Sequence, residues 1–492
     1  MFTSIDADFS RETDDRPEPK NADGLVGWTE GARHVVLSDG NDLWAVTPDG
    51  ATATCITDRV GKARNIDFGY VRLDREERFL PLGESVLLSA VDLDTMESGY
   101  WRDRIDGLGK PEPVVMEACQ FGGLQKAADA DRIVYTMERF DLCDDVWTAT
   151  LDFAEPRRLT DANPQQSEYR WGRAELVTWR SLDGEPLKGF LIMPEGFDPE
   201  QKYPMMVYFY EKRSRSIHGY GAPRLGTSPS PIHYVSDGYL WFVPDIHYRD
   251  GYPGESAVKC IVPGVQSLVA QGFVDADAIG AAGHSWGGYQ TAFLITRTDI
   301  FAAVESGAPV SNMTSAYGGI RWGSGMSRAF QYERTQSRIG DTLWAKPLQY
   351  LENSPLFFAD KVNTPILMIH NDEDGAVPWY QGIEYFCALR RLGKEAYMLN
   401  YNGQDHGLRR RADIRDWSVR MKQFFDHHLR GAEMPDWMAE GVPHHERERA
   451  ARDLLEPESI DLREAFEAEA EAEVEVRTEA GAAAGSGGSG VR

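Results

Sequence analysis

At 492 residues the chain is longer than one ordinary domain, so two compact units plus some irregular sequence are expected. A hydrophobic content of 42% supports a sizeable core, yet no apolar run reaches the roughly 18 to 20 residues that span a bilayer, so no membrane partner is expected. The net charge of −26 disfavours nucleic acid and anionic lipid surfaces, whose phosphates would be repelled over much of the protein.

The N-terminus shows neither a basic segment nor an apolar stretch, which as the chain stands points to the cytoplasm. Residues 1–23 read as an N-terminal extension. The next region repeats itself. Asp42-Leu43-Trp44 leads to Ile56-Thr57-Asp58, and 103 residues later Asp145-Val146-Trp147 leads at the same offset to Leu159-Thr160-Asp161. A weaker copy lies between them, where Ser85 to Ser89 precede Tyr100-Trp101 as Val35 to Leu37 precede Trp44. A unit of about 50 residues, made of short alternating strands with Gly and Asp turns, fits a β-propeller blade better than a helical repeat. Residues 24–173 are therefore expected to form an all-β partial propeller of about three blades, in preference to a plain antiparallel sheet with tryptophans in its core.

From residue 174 to 433 strand patterns alternate with amphipathic helices, the rhythm of a mostly parallel, doubly wound α/β sheet. A hairpin around Leu182-Asp183-Gly184 opens it. Strands are predicted at 205–210, 240–244, 279–283, 302–305, 366–370 and 396–401, and helices at 256–271, 289–297, 380–392 and 414–429. Residues 434–492 are acidic and then rich in Gly and Ala, with too little apolar surface to offset the entropy of ordering, and are expected to be disordered. Cys55, Cys119, Cys143, Cys260 and Cys387 are scattered, with neither a Cys-x-x-Cys pair nor zinc-ligand spacing, so buried thiols are expected and neither a metal nor another cofactor.

The chemistry is concentrated in the α/β region. Gly283-His284-Ser285-Trp286-Gly287 matches Gly-x-Ser-x-Gly and falls between a predicted strand and a predicted helix. A sharp strand-to-helix turn lifts a serine hydroxyl above the sheet edge, and glycines flank it because side chains there would collide with neighbouring elements. The same turn aims the Trp286 N–H, at a helix N-terminus, towards an oxyanion. A serine hydroxyl needs a base and a group to orient that base. On this fold the order is Ser, acid, His, on loops after later strands. Asp372, Glu373 and Asp374 occupy the first such loop and His406 the second. Spacing leaves the three carboxylates open. His284 and His370 read as packing or turn residues, and Asp405 as an exposed loop carboxylate.

Gly283-His284-Ser285-Trp286-Gly287-Gly288-Tyr289, His370-x-x-x-Asp374-x-x-Val377-Pro378 and Asp405-His406-Gly407, behind propeller-like repeats, resemble the prolyl oligopeptidase family of serine peptidases across residues 24 to 433. The resemblance implies the triad Ser285, Asp374 and His406, an oxyanion hole of the Tyr210 hydroxyl and the Trp286 N–H, and a specificity pocket that includes Val310 and Tyr317. It implies a peptide substrate, cut through an acyl-enzyme without a cofactor. An esterase or acyl-hydrolase on the same triad, or an inactive propeller-hydrolase interaction module, are the alternatives. Relatives place Asn or Arg two residues after the acid, where this chain has Ala376, so proline-specific cleavage is not expected. Glu211 follows Tyr210 in place of a small Gly-rich turn, and is read as a partner either for a substrate amine or for a neighbouring Arg. Family propellers have seven or eight blades. Three would leave an open edge available for self-association, and the chain would then be a fragment of an exported, periplasmic or secreted parent.

Overall fold

The computed structural model describes residues 5, 7–11 and 15–442. The expected tail from residue 443 onwards, both its acidic and its Gly- and Ala-rich parts, lies outside the described residues.

The N-terminal repeats fold as three consecutive four-stranded antiparallel meanders. The first is built from Gly24–Trp28, Val35–Ser38, Leu43–Val46 and Ala53–Cys55. The second uses Ile66–Tyr70, Ser85–Asp92, Ser98–Arg104 and Glu112–Glu117, and the third Gln120–Lys126, Ile133–Arg139, Leu142–Ala149 and Arg157–Arg158. The repeated Asp and Thr close the first and third copies in the same way. Thr57 Oγ1 donates to Asp42 Oδ1 at 2.6 Å and accepts the Leu43 N–H at 3.2 Å, while Thr160 Oγ1 donates to Asp145 Oδ1 at 2.6 Å and accepts the Val146 N–H at 2.9 Å. The hydroxyl and carboxylate thus satisfy backbone donors where the fourth strand leaves the sheet. The middle copy is weak in sequence because the position two residues before Trp101 is Gly99, where a Cβ would collide with the Val115 carbonyl.

The sheets stack face to face. Val36, Leu43, Ile56, Phe68, Leu88 and Trp101 form one core between the first two, and Tyr100 stacks on Phe153 at 4.8 Å between the second and third. A stack of this kind ends in sheet faces, so the expected open edge is replaced by outer faces, on which Leu25 and Val134 are exposed. The last edge strand is two arginines long, and a short charged edge disfavours pairing with another chain.

The second unit is a single eight-stranded sheet. Its strands in chain order are β1 (Gly172–Arg180), β2 (Pro186–Pro194), β3 (Tyr203–Tyr208), β4 (Leu240–Pro244), β5 (Val274–His284), β6 (Ala303–Gly307), β7 (Ile366–Ile369) and β8 (Ala396–Leu399), arranged β1-β2-β4-β3-β5-β6-β7-β8. β1, β2 and β4 pair antiparallel and the rest parallel. This is an α/β-hydrolase sheet. Helices α1 (Pro253–Val269), α2 (Trp286–Leu294) and α3 (Tyr380–Arg391) cover one face, and α4 (Arg411–Arg430) covers the other. The strands are apolar on both faces because successive side chains enter opposite cores. Met205 and Val207 pack with α1, whereas Met206 packs with Trp417 and Phe425 of α4.

Two stretches assigned to the extensions are docked on this unit. Trp437 donates to Gln423 Oε1 at 2.8 Å and Met438 is buried, so residues 434–442 continue the hydrolase packing. Asp15, in the N-terminal extension, contacts Arg338 at 2.6 Å. Among the described residues no helix is long and apolar enough to cross a membrane.

Candidate active site

β5 ends at His284 and α2 begins at Trp286, leaving Ser285 alone in the turn with φ 62° and ψ −114°. A non-glycine residue in this region is strained, and the turn is held by tight packing around it. The Ser285 N–H donates to the Gly307 carbonyl at 2.7 Å. A Cβ on Gly283 would lie 2.5 Å from the Gly287 backbone, and one on Gly287 would lie 2.8 Å from the Phe209 carbonyl oxygen. Glycine at both places lets β5, α2 and the end of β3 converge beneath the serine. Because Trp286 opens α2, its N–H belongs to the set that a helix leaves without an internal acceptor.

The loops after β7 and β8 meet above the sheet. His406 Nδ1 lies 2.8 Å from Asp374 Oδ2. The other carboxylate oxygen of Asp374 accepts the N–H groups of Ala376 and Val377, each at 2.8 Å, and its side chain is fully enclosed. Burial raises its proton affinity, but hydrogen bonds from His370 and His406 outweigh that and hold the carboxyl well below the usual range. Asp374 is therefore ionised when it faces the imidazole. Asp372 points elsewhere, its Oδ1 accepting the Gly403 N–H at 2.7 Å, and Glu373 is exposed.

Three residues assigned passive roles are linked to this centre. Asp405 is only partly exposed, and its Oδ1 accepts the N–H of Gly375 at 3.0 Å and of His406 at 2.7 Å, tying the two loops together. His370 Nε2 lies 3.1 Å from the Val377 carbonyl oxygen and 3.4 Å from Asp374 Oδ2, bracing the acid. His284 Nε2 lies 2.8 Å from the His406 carbonyl oxygen. Burial, together with the nearby His406, pushes the His284 imidazole down to about 3, so it is neutral. Beneath the turn Glu305 is buried on β6 and accepts the Gly283 N–H at 3.2 Å. Burial raises its carboxyl well above the usual value, which keeps it protonated.

Tyr210 follows β3. Its hydroxyl accepts a hydrogen bond from Gln336 Nε2 at 3.0 Å, and its carbonyl accepts one from Tyr248 Oη at 3.1 Å. Trp286 Nε1 donates to the same Tyr248 hydroxyl at 3.1 Å, so Tyr248 bridges the two oxyanion candidates. Glu211 sits against the buried guanidinium of Arg338, at 3.4 Å. That is the arginine pairing rather than an open carboxylate. Val310 and Tyr317 share an apolar cluster with Trp286, Met313 and Val377, and the Tyr317 hydroxyl donates to Glu333 at 2.6 Å. Gln336, Tyr248 and Arg338 were not anticipated. No motif or spacing ties them to Tyr210 in the sequence. Among the described residues there is no cluster of His, Cys, Asp and Glu arranged for a metal ion.

Residues 250–432 match the model of the prolyl oligopeptidase family. The chain is 23% identical over 371 residues to the uncharacterized peptidase YuxL of Bacillus subtilis, covering 72% of this chain and 54% of that protein. It is 24% identical over 414 residues to dipeptidyl-peptidase 5 of Porphyromonas gingivalis, covering 70% and 58%. The chain thus spans a little over half the length of these curated relatives. Among solved structures it resembles the acylaminoacyl peptidase of Pyrococcus horikoshii, with a TM-score of 0.59 at 20% identity over 86% of this chain and 66% of that one. It also resembles a puromycin hydrolase, with a TM-score of 0.61 at 17% identity over 82% and 61%. At these identities the structural likeness speaks to the fold.

Proposed function

We propose that the chain, whose residues 250–432 match the model of the prolyl oligopeptidase family, is a serine peptidase that cleaves peptides through an acyl-enzyme on Ser285, His406 and Asp374. The observation that carries this reading is the 2.8 Å contact between His406 Nδ1 and the ionised, enclosed Asp374. It fixes the tautomer that leaves Nε2 free to act as a base. Ser285 Oγ attacks the scissile carbonyl while His406 Nε2 takes its proton. The negative charge that develops on the carbonyl oxygen is met by the Trp286 N–H and the Tyr210 hydroxyl. Collapse of the tetrahedral species expels the amine, which takes the proton back from His406. A water molecule then repeats the sequence on the acyl-serine, releasing the acid and restoring the hydroxyl.

The preference at the cut is proposed from the residues around Val310 and Tyr317. Val310 and Tyr317 lie in a buried apolar cluster with Trp286, Met313 and Val377, and a substrate side chain that extends this cluster before the scissile bond would be apolar. With Ala376 two residues after the acid, no side chain from that position holds a substrate carbonyl, so specificity for proline is not part of the proposal. Three sheets form a partial cap, so unfolded polypeptides are substrates along with short peptides. Self-association through the outer sheet faces is the accompanying proposal, read out by light scattering.

The test is turnover of a short peptide anilide with an apolar residue before the bond, alongside the matching ester. Amide cleavage that disappears in Ser285→Ala supports the peptidase. Hydrolysis of the ester without the amide assigns the site to an esterase, and turnover of neither returns the chain to a non-catalytic role.

A further inference from the structure

Arg338 is 2% exposed and has φ 52°, a left-handed conformation that a long side chain adopts only when its surroundings hold it there. Its guanidinium is shared between two carboxylates. Asp15 Oδ1 lies 2.6 Å from Nη2 and 3.0 Å from Nε, whereas Glu211 is more distant, at 3.4 Å from Nη1 and 3.5 Å from Nη2. Burial disfavours the charge on Arg338, but the attraction of Glu211 and Asp15 outweighs it. Its Nε also donates to the Asp15 carbonyl at 3.3 Å, and two further contacts of the guanidinium lead towards the oxyanion side of the centre. Nη1 donates to the Gln336 carbonyl at 2.7 Å, and the Gln336 side chain donates to the Tyr210 hydroxyl at 3.0 Å. The guanidinium also lies 4.0 Å from the ring centroid of Tyr248, whose hydroxyl joins the Tyr210 carbonyl to the Trp286 indole. Asp15 Oδ2 also accepts the backbone N–H of Tyr248 at 3.3 Å. Asp15 and Arg338 are 323 residues apart in the chain.

We propose that Asp15 and Arg338 form a clamp by which the N-terminal segment positions Tyr210 and Trp286 for the oxyanion, so that this segment is a working part of the hydrolase site. The inference rests on the reading of Tyr210 as an oxyanion donor. The Gln336 amide gives its N–H to the phenolic oxygen, which leaves the phenolic proton for the substrate and makes it a stronger donor. Asp15 holds the guanidinium away from Glu211. Without Asp15 the buried cation has Glu211 as its one remaining close carboxylate and moves towards it, displacing the residue next to Tyr210 and loosening Gln336. Asp15 and Arg338 are positioning residues and touch no reacting atom.

The experiment is a double-mutant cycle in the full chain, pairing Asp15→Ala with Tyr210→Phe and following peptide-anilide hydrolysis. Asp15→Ala is expected to lower kcat about tenfold with KM within twofold, and to have no further effect on kcat once Tyr210 is Phe. Asp15→Glu should recover most of the rate, and Asp15→Asn, which keeps shape and one acceptor, should lose about threefold. If Asp15→Ala lowers the folded fraction, the Asn variant carries the same cycle. Full kcat in Tyr210→Phe would sink the oxyanion reading itself. A tenfold or larger loss in Tyr210→Phe, with Asp15 effects that are absent or simply multiply, would overturn the clamp and leave that reading standing.

Discussion

On one side of Ser285 the acid and the base leave neighbouring parallel strands, β7 and β8; Asp405 to Gly375 and Asn371 to the Asp405 carbonyl join their loops, and His370 to Val377 braces the first loop from within. On the other side, Tyr210 and Trp286 depend on Tyr248, Gln336, Arg338 and Asp15, which come from three separate stretches of chain. The first side is built by sheet topology. The second is built by packing that topology does not specify. A centre made in this way should tolerate damage unequally, with abrupt loss when a reacting group on the first side is changed and graded loss when a support on the second is changed.

The largest effects test the first side. Ser285→Ala, His406→Ala and Asp374→Asn should each reduce kcat for a peptide anilide by about 10⁴-fold or more, because the three groups act as a unit. Asp372→Asn should stay near wild type, since its carboxylate faces Gly403. Equal losses at Asp372 and Asp374 would break the assignment of the acid. Next in size is Tyr210→Phe, expected to cost about 10² to 10³ in kcat with KM little changed, as for a donor that acts in the transition state. A raised KM with unchanged kcat would make Tyr210 a binding residue.

How far the two sides could be read from sequence follows the same division. The strand and helix patterns of residues 174–433 return as β1 to β8 and α1 to α4 within a few residues, because side chains that alternate between two cores leave strong periodic signals. The Ser285 turn was legible because its steric demands fall on glycines two residues to either side. The choice among Asp372, Glu373 and Asp374 was not, since all three share one loop. What distinguishes Asp374 is a local turn in which the Ala376 and Val377 N–H groups hold one carboxylate oxygen while the other faces His406. Asp405 was read as a bystander because its hydrogen bonds go to backbone, which carries no sequence mark. Arg338 and Asp15 were invisible for a related reason: no spacing rule connects residues 323 positions apart.

Smaller effects sharpen the picture of the loop links. Asp405→Ala removes the acceptor shared by the Gly375 and His406 N–H groups and should lower kcat about tenfold, whereas Asp405→Asn, whose amide oxygen can still accept both, should lose less than about threefold. Equal behaviour of the two variants would mean that the charge, rather than the link, is what matters.

The smallest effects concern stability, measured by denaturant unfolding across pH. Native Glu305 keeps its proton and native His284 does not, whereas in the unfolded chain Glu ionises above about 4.3 and His is protonated below about 6.5. Between those values folded and unfolded states bind equal numbers of protons at this pair, and the two contributions to the pH slope cancel. Glu305→Gln removes one of them. The unfolded state then binds the extra proton on His284, so stability should rise with pH through that window, by at most about 1.4 kcal/mol per unit. In His284→Gln the folded state binds the extra proton on Glu305, and stability should fall with pH over the same window. Parallel curves for the two variants would show that the pair is not buried in its neutral form.

The central claim is that Ser285 is an activated nucleophile, and the most direct measurement is intact-mass analysis after exposure to a fluorophosphonate. One phosphonyl adduct per chain is expected, located by digestion on the peptide containing Ser285, absent in Ser285→Ala and formed far more slowly in His406→Ala. An unmodified chain, or an adduct on any other residue, would contradict the claim.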